Sequence, residues 1–158
     1  MLLLLDASSR FSLVSLTGIH SLLMTPRTIP DVATTPELLG PLLARTKAFV
    51  LIQNGIGIEK DLQIAVPFAT VLSGCAWIDC TLINNYRTLR HGDLDRLVVG
   101  AHRPLPESYA QGGEESKSEL EKAGVVALDS FLGLLRSGGG TPTAAVNIVA
   151  ERWRKNLW

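Results

Sequence analysis

Two hydrophobic segments in the middle of the chain predict the strands of a buried sheet. Residues 49–52 form a continuous apolar stretch, which is typical of a strand covered on both faces, and residues 71–82 predict a second buried strand. Residues 58–65 between them predict a short helix, which Pro67 ends because proline cannot continue a helix. Strand, helix and strand in this order predict two parallel strands joined by a crossover helix.

The first 48 residues carry weaker patterns. Short apolar runs at residues 2–5 and 11–16 predict two strands, with residues 6–9 as the turn between them. Thr35-Pro36-Glu37 predicts a helix start, because threonine caps free N–H groups and proline suits the first helical position. Four leucines then follow helical spacing on one face: Leu38, Leu39, Leu42 and Leu43.

Turn signals organise the region after the second buried strand. Gly92-Asp93 predicts a hairpin turn between strands at residues 86–91 and 96–100. Residues 103–116 are rich in proline, glycine and glutamate, which predicts a surface loop. The region therefore predicts an antiparallel hairpin at one edge of the sheet, followed by an exposed connection.

A long helix and a short one are predicted for the last third of the chain. The capping box from Ser116 to Glu119 predicts where the long helix begins, and glycines 138–140 end it. Its side chains expected to face the core are Leu120, Val125, Leu128, Phe131, Leu132 and Leu135. Residues 141–146 predict a short strand, and a last helix is expected from near Asn147.

The alternation of these elements predicts an α/β protein with a largely parallel sheet and an antiparallel edge hairpin. The 158 residues, 46% of them hydrophobic, suffice for one domain with its own core. A mean hydropathy of +0.23 is high for a self-contained soluble domain, so we expect some apolar surface to pack against something outside the chain. Fifteen Lys and Arg balance fifteen Asp and Glu, which argues against nucleic acid or an anionic membrane as a partner.

The sequence also argues against a membrane span, a signal peptide and a cysteine-based metal site. No apolar run approaches the roughly 20 residues that cross a bilayer. The apolar start lacks the positive segment of a signal peptide and is interrupted at Asp6, so we expect an intracellular, cytoplasmic protein. Cys75 and Cys80 are five residues apart and would lie on opposite faces of one strand, so they could not share a metal and are expected to be buried, apolar thiols.

The first candidate site is the loop Gln53-Asn54-Gly55-Ile56-Gly57. It follows a predicted strand and precedes a predicted helix, which is where open α/β sheets bind ligands. Glycines there let a ligand approach the backbone, and Asn54 offers both a donor and an acceptor. An Asn-Gly turn chosen only for its positive φ explains the same residues equally well.

The second candidate site is the charged segment Glu151-Arg152-Trp153-Arg154-Lys155-Asn156. Periodicity alone favours a solvated helix face, with a Glu151–Lys155 ion pair and Trp153 packed beneath it. The three histidines, His20, His91 and His102, share no metal-ligand spacing, and no metal is expected. No G-x-G-x-x-G phosphate-binding motif is present.

Five short motifs in order carry a family resemblance. They are Ile29-Pro30-Asp31, the run from Val50 to Ile56, Ser73-Gly74, the strand from Leu97 to Gly100, and Arg152-Trp153-Arg154-Lys155. In this order and spacing, over residues 25–158, the chain resembles the ketopantoate reductase (2-dehydropantoate 2-reductase) family and looks most like its fungal members.

The resemblance implies a Rossmann-like N-terminal domain followed by a helical C-terminal domain, with the active site in the cleft between them. It implies an oxidoreductase of pantothenate biosynthesis that uses NADP(H) to reduce a 2-oxo acid to a 2-hydroxy acid. By the same resemblance, Asn54, Gly55 and Arg27 bind the cofactor. Lys155 matches the catalytic lysine, which donates a proton to the alkoxide formed as hydride arrives.

Three departures from the family pattern predict a fragment. The glycine-rich loop is missing, Arg27 stands where the family usually has lysine, and the chain is about half the length expected of a two-domain enzyme. We therefore expect a non-matching segment at residues 1–24 and the second half of the dinucleotide domain at 25–140. Residues 141–158 would begin a truncated helical domain, and the isolated chain would be weakly active or inactive.

A non-enzymatic remnant of the same fold, acting as a binding or interaction module, is the alternative. Under the first hypothesis the partner is a small 2-oxo acid, with neither nucleic acid nor membrane involved. An unpaired strand edge predicts self-association, for example as a homo-oligomer. A nucleic-acid site on Arg87, Arg90, Arg96 and Arg103 is disfavoured by the zero net charge.

Overall fold

The computed structural model describes residues 12–16, 19–25, 42–85, 87–106 and 113–157, which build one mixed sheet with helices packed on it. The strands are β1 (Ser12–Leu16), β2 (Ile19–Thr25), β3 (Ala48–Leu51), β4 (Thr70–Ile83), β5 (Thr88–Ala101) and β6 (Thr143–Ala144). The helices are α1 (Leu42–Arg45), α2 (Lys60–Ala65), α3 (Gly113–Ser137) and α4 (Ile148–Leu157).

The six strands pair in chain order, and the centre of the sheet is parallel. β2, β3 and β4 run parallel, β1 and β5 pair antiparallel with β2 and β4, and β6 runs parallel to β5. This confirms the predicted α/β sheet with parallel strands and an antiparallel hairpin, formed by β4 and β5, although β6 pairs outside that hairpin. β1 confirms the strand predicted at 11–16, whereas β2 was not predicted. The strand predicted at 2–5, its turn and the helix start at 35–37 lie outside the described residues.

β3 is the strand buried on both faces that the continuous apolar run predicted. All four of its residues are buried, and alternate side chains enter two different core clusters. One cluster lies under α3 and contains Ala48, Val50, Leu72, Val99, Ala127, Phe131 and Leu132. The other lies under α2 and contains Phe49, Leu51, Ile58, Leu62, Val66 and Val71. The sheet is therefore covered on both sides at β3, as a parallel sheet requires.

Only the first half of β4 is the buried strand that was predicted. Residues 70–75 are buried, but residues 78–82 are exposed. β3 pairs with β4 only from Thr70 to Ser73, so beyond that point β5 is the only described strand beside it. The second halves of β4 and β5 thus form a largely exposed two-stranded arm.

The prediction of a hairpin turn at Gly92-Asp93 is wrong, because β5 runs through both residues. The turn lies instead after β4, where Asn84 and Asn85 both have φ 53, a left-handed conformation that asparagine tolerates. Gly92 serves the bulge between β4 and β5, where the register shifts. A Cβ there would lie 2.6 Å from an Asp79 carboxylate oxygen, so a close approach explains the glycine.

The long helix was predicted correctly in kind, but its start and one of its core positions were wrong. α3 begins at Gly113, so Ser116 lies inside the first turn and the predicted capping box does not form. Val125 is 60% exposed, whereas Gly124 and Ala127 face the core together with Phe131 and Leu132. The small residues lie against the sheet because α3 packs closely there.

The end of α3 and the start of α4 follow the predicted signals. Gly139 has φ 85, and the amides of glycines 138–140 bond to carbonyls of the last turn of α3. Asn147 caps α4, since its side-chain oxygen accepts from the Ala150 amide at 3.1 Å. Within the described residues, no helix is long and apolar enough to cross a membrane.

Candidate functional site

A buried arginine joins α4 to the carboxyl ends of β3 and β4. The Arg152 guanidinium donates to the backbone carbonyls of Gln53 and Gly55, each at 2.9 Å. It also donates to the Leu51 carbonyl at 3.3 Å and to Ser73 Oγ at 2.6 Å. Leu51 and Ser73 are the last paired positions of the parallel β3–β4 ladder. Arg152 therefore lies at the edge where α/β sheets bind their ligands.

The loop after β3 is shaped by two glycines. Gly55 has φ 120 and Gly57 has φ 75, conformations that favour glycine. Asn54, which precedes Gly55, is exposed, while Gln53 is buried. Gln53 Oε1 has no hydrogen-bond partner among the described residues. The φ angles thus agree with a turn that needs glycine for its positive φ. The role of the loop as a ligand site stays a prediction.

Lys155 lies one turn beyond Arg152 on α4 and faces β4. Its ammonium donates to the backbone carbonyl of Ala76, just past the buried half of β4. Burial lowers the pKa of Lys155 from its ordinary value; the neighbouring Cys75 opposes this change and the charge of Arg152 adds to it. Lys155 is thus a partly desolvated cation near the carboxyl edge of the sheet.

The ion pair expected between Glu151 and Lys155 does not form. Glu151 pairs instead with Arg154, three residues along the exposed side of α4. Trp153 is 52% exposed, so the expectation that it packs beneath the charged face is also wrong. The helix is turned the other way, because Ile148 and Arg152 are its buried residues.

A chain of buried polar groups continues from Arg152 into the protein. Ser73 Oγ lies 2.7 Å from His102 Nε2, and His102 Nδ1 lies 3.9 Å from a Glu59 carboxylate oxygen. Arg152 can only donate, so the Ser73 hydroxyl accepts from it and can give its own proton to His102 Nε2. Burial lowers the pKa of His102 to about 4; Glu59 opposes this and Arg152 adds to it. The ring is therefore neutral, and its Nδ1 side faces Glu59.

Two clefts open beside His102, at the far end of this polar chain. One, of about 420 Å³, is lined by Glu59, His102 and the start of α4, and the other, of about 290 Å³, lies between α3 and the start of β4. Neither is lined by Asn54 or Lys155. Among the residues that the structure describes, no group of three His, Cys, Asp or Glu side chains could hold a metal ion.

Comparison with protein families gives this site a context. The family model described as ketopantoate reductase PanE/ApbA matches residues 6–104, more than half of the chain. The chain belongs to the ketopantoate reductase family. The match begins at residue 6, so it includes most of the segment 1–24 in which the sequence alone showed no resemblance. β2 agrees with this, because it extends the parallel sheet beside β3.

Solved reductases share the fold over most of this chain. The structure of 2-dehydropantoate 2-reductase from Methylococcus capsulatus is 28% identical with a TM-score of 0.52, over 87% of this chain and 37% of that one. The 2-dehydropantoate 2-reductase from Geobacter metallireducens GS-15 is 18% identical with a TM-score of 0.60, over 87% and 39%. The second likeness concerns the fold alone. The chain spans less than two fifths of either reductase, and a search of curated proteins found no match.

Three of the four site residues predicted from the sequence lie in the described part of the structure. Gly55 and Lys155 lie on the two segments that Arg152 joins, Asn54 precedes Gly55, and Arg27 lies outside the described residues. Arg152 itself was assigned only to a surface face. Its signal was its spacing, because it follows the apolar Ile148 by four residues and so shares the buried face of an amphipathic helix.

Proposed function

We propose that this chain carries the catalytic edge of an NADPH-dependent reductase that converts a 2-oxo acid such as 2-dehydropantoate to a 2-hydroxy acid. Membership of the ketopantoate reductase family supports this reaction. The observation that carries the proposal is Lys155, a partly buried ammonium at the carboxyl edge of the sheet beside the Arg152-bound loop. This edge is where a dinucleotide and its substrate meet in folds of this class.

Lys155 acts as the proton donor in this proposal. Reduction of a carbonyl places negative charge on its oxygen, and a positioned ammonium stabilises that charge and then supplies the proton. Burial lowers the pKa of Lys155, which makes its proton easier to release near neutral pH. The Ala76 carbonyl accepts from the ammonium in this structure and so holds it at the edge.

The described residues fit the nicotinamide end of the cofactor. When bound, a nicotinamide dinucleotide supplies the hydride. Gly55 has a positive φ and no Cβ, so its backbone is open to a ligand, and the Asn54 side chain beside it is exposed. Gln53 Oε1 is a buried acceptor that has no partner among the described residues. We assign Asn54 and Gly55 to this end of the cofactor and Arg27 to its charged part. The sequence has no G-x-G-x-x-G loop for the pyrophosphate.

We further propose that the chain is part of a longer reductase, with residues 25–140 in the dinucleotide domain and 141–158 starting the helical one. An apolar stripe on α4 supports this, since Val149, Trp153 and Leu157 are spaced by four residues and all exposed. A helical domain packed on α4 would cover the stripe. The same stripe supports a second candidate function, a non-enzymatic module whose stripe binds a partner protein.

A fusion protein tests the reaction. The chain would be joined to the phosphate-binding segment and helical domain of the Methylococcus capsulatus reductase, and NADPH oxidation measured with 2-dehydropantoate and other branched 2-oxo acids. We expect turnover, and Lys155→Ala should lower it about a hundredfold or more with little change in the KM for NADPH. Lys122→Ala is the control, because that ammonium is exposed on α3.

Three outcomes would contradict the proposal. A folded fusion that oxidises NADPH with none of these acids would refute the reaction. An active fusion whose turnover is unchanged by Lys155→Ala would refute the role of Lys155. If the helical domain added separately leaves the fluorescence of Trp153 unchanged, judged against Trp153→Phe, the stripe belongs to another partner and the interaction module is favoured.

A further inference from the structure

Among the described residues, the guanidinium of Arg152 makes the side-chain hydrogen bonds that join α4 to the loop after β3. Arg152 Nη1 donates to the carbonyls of Gln53 and Gly55, which belong to that loop. Its Nη2 donates to Leu51 in β3 and to Ser73 in β4. The Arg152 side chain is buried, so bulk water cannot easily replace it as the hydrogen-bond donor to these acceptors. Each of the two terminal nitrogens thus serves two acceptors, and the fork spans three segments of chain.

We infer that Arg152 is a positioning residue for the reductase reaction, which holds Lys155 and the Gly55 loop at a fixed separation by clamping α4 to the ends of β3 and β4. The inference rests on the proposed function, because it gives Lys155 and the loop their roles. Arg152 is buried and spends its terminal nitrogens on groups of the chain itself, so it acts through the groups it holds.

The geometry of the clamp requires arginine. Its planar fork presents several N–H donors in fixed directions, whereas a lysine ammonium is a compact point charge on a flexible stem. Ser73 adds a second constraint, because its hydroxyl accepts from Arg152 and is also hydrogen-bonded to His102 Nε2, so it is held from two sides. A lysine at this position would keep the charge but could not reach all four acceptors.

The rival explanation is that Arg152 merely supplies charge and stability. The charge of Arg152 lowers the pKa of Lys155. A purely electrostatic role therefore predicts that Arg152→Lys leaves Lys155 unchanged. A clamp predicts a different result: α4 moves away from β4, Lys155 becomes better solvated, and its pKa rises toward the ordinary value although the positive charge is kept.

The experiment uses the full chain and needs neither cofactor nor turnover. The chain has five lysines, so lysine side chains labelled at the ε carbon give few NMR signals, and Lys155→Arg identifies the one from Lys155. The signals are titrated in the wild type, in Arg152→Lys and in Arg154→Lys. Arg154 is the matched control, because it lies on the exposed side of the same helix. Amide hydrogen exchange is measured in parallel at residues 53–57 and in β3.

We expect Arg152→Lys to raise the pKa of Lys155 and to speed exchange at residues 53–57 at least tenfold more than in β3. Arg154→Lys should change neither. Unchanged titration and a uniform increase in exchange would overturn the inference, since general destabilisation affects both regions alike. Failure of Arg152→Lys to fold would also overturn it, because the variant keeps the buried charge. An inactive fusion protein would leave these readouts unaffected, so the two proposals fail separately.

Discussion

Stability should fall on acidification because His102 is buried as a neutral ring. The pKa of His102 is about 4 in the folded protein, against an ordinary value of 6.5, so the folded state binds its proton more weakly than the unfolded chain does. This contribution is fully present above pH 6.5 and is lost as the pH falls toward 4. The difference between the two pKa values corresponds to about 3 kcal/mol of unfolding free energy.

Urea unfolding curves recorded at several pH values between pH 7 and pH 4 measure this effect. Carboxylates also titrate in this range, so the wild type is compared with His102→Gln, whose amide cannot titrate but can accept a hydrogen bond from Ser73. We expect the wild type to lose about 3 kcal/mol more than the variant over this range. The difference should accumulate mainly below pH 6.5, where the unfolded chain becomes protonated.

Equal losses in the two proteins would refute the reasoning. They would mean that the pKa of His102 is not lowered by folding. Either the ring is solvated, or the Glu59 carboxylate stabilises the protonated ring. A wild type that becomes more stable than His102→Gln at low pH would point to the second case, a charged His102–Glu59 pair. NMR of the imidazole ring would then show protonation near neutral pH.

Arg152→Met should lower the free energy of unfolding by about 3–5 kcal/mol in urea, because it takes the donor away from four buried acceptors, three of them backbone carbonyls. Arg154→Met should stay within about 0.5 kcal/mol. An Arg152→Met variant as stable as the wild type would show that the desolvation penalty of the guanidinium cancels the stabilisation from its hydrogen bonds. Gly100→Ala should cost about 1–3 kcal/mol, since its Cβ would lie 2.8 Å from that of Ile148. Gly124→Ala should instead stabilise α3 by about 0.5–1 kcal/mol, because the new Cβ would make an ordinary contact with Ala101 Cβ at 3.5 Å. Thermal melts that rank these two variants in the opposite order would contradict the packing described.

Local signals in the sequence determined much of the secondary structure. The apolar run at β3, the proline after α2, the glycines that end α3 and the asparagine that caps α4 act on their own neighbours, so their effect needs no distant contact. The family resemblance likewise depended on the order of short motifs. These features fixed the α/β class and pointed to Lys155 and the Gly55 loop.

Tertiary structure decided the points at which two local signals compete or a distant group takes part. Gly92-Asp93 and Asn84-Asn85 are both turn signals, and the pairing of β4 with β5 places the turn at the asparagines and a bulge at Gly92. A Glu–Lys pair four residues apart satisfies helix periodicity, but the Ala76 carbonyl takes Lys155 away from Glu151.

The clamp around Arg152 is the clearest case of a feature that the sequence alone did not determine. Its acceptors precede it by 79 to 101 residues, and three of the four are backbone carbonyls, which carry no side-chain signature in a sequence. Only the pairing of β3 with β4 and the docking of α4 bring them to one point. A buried charge becomes favourable there because the fold supplies partners that no local pattern encodes.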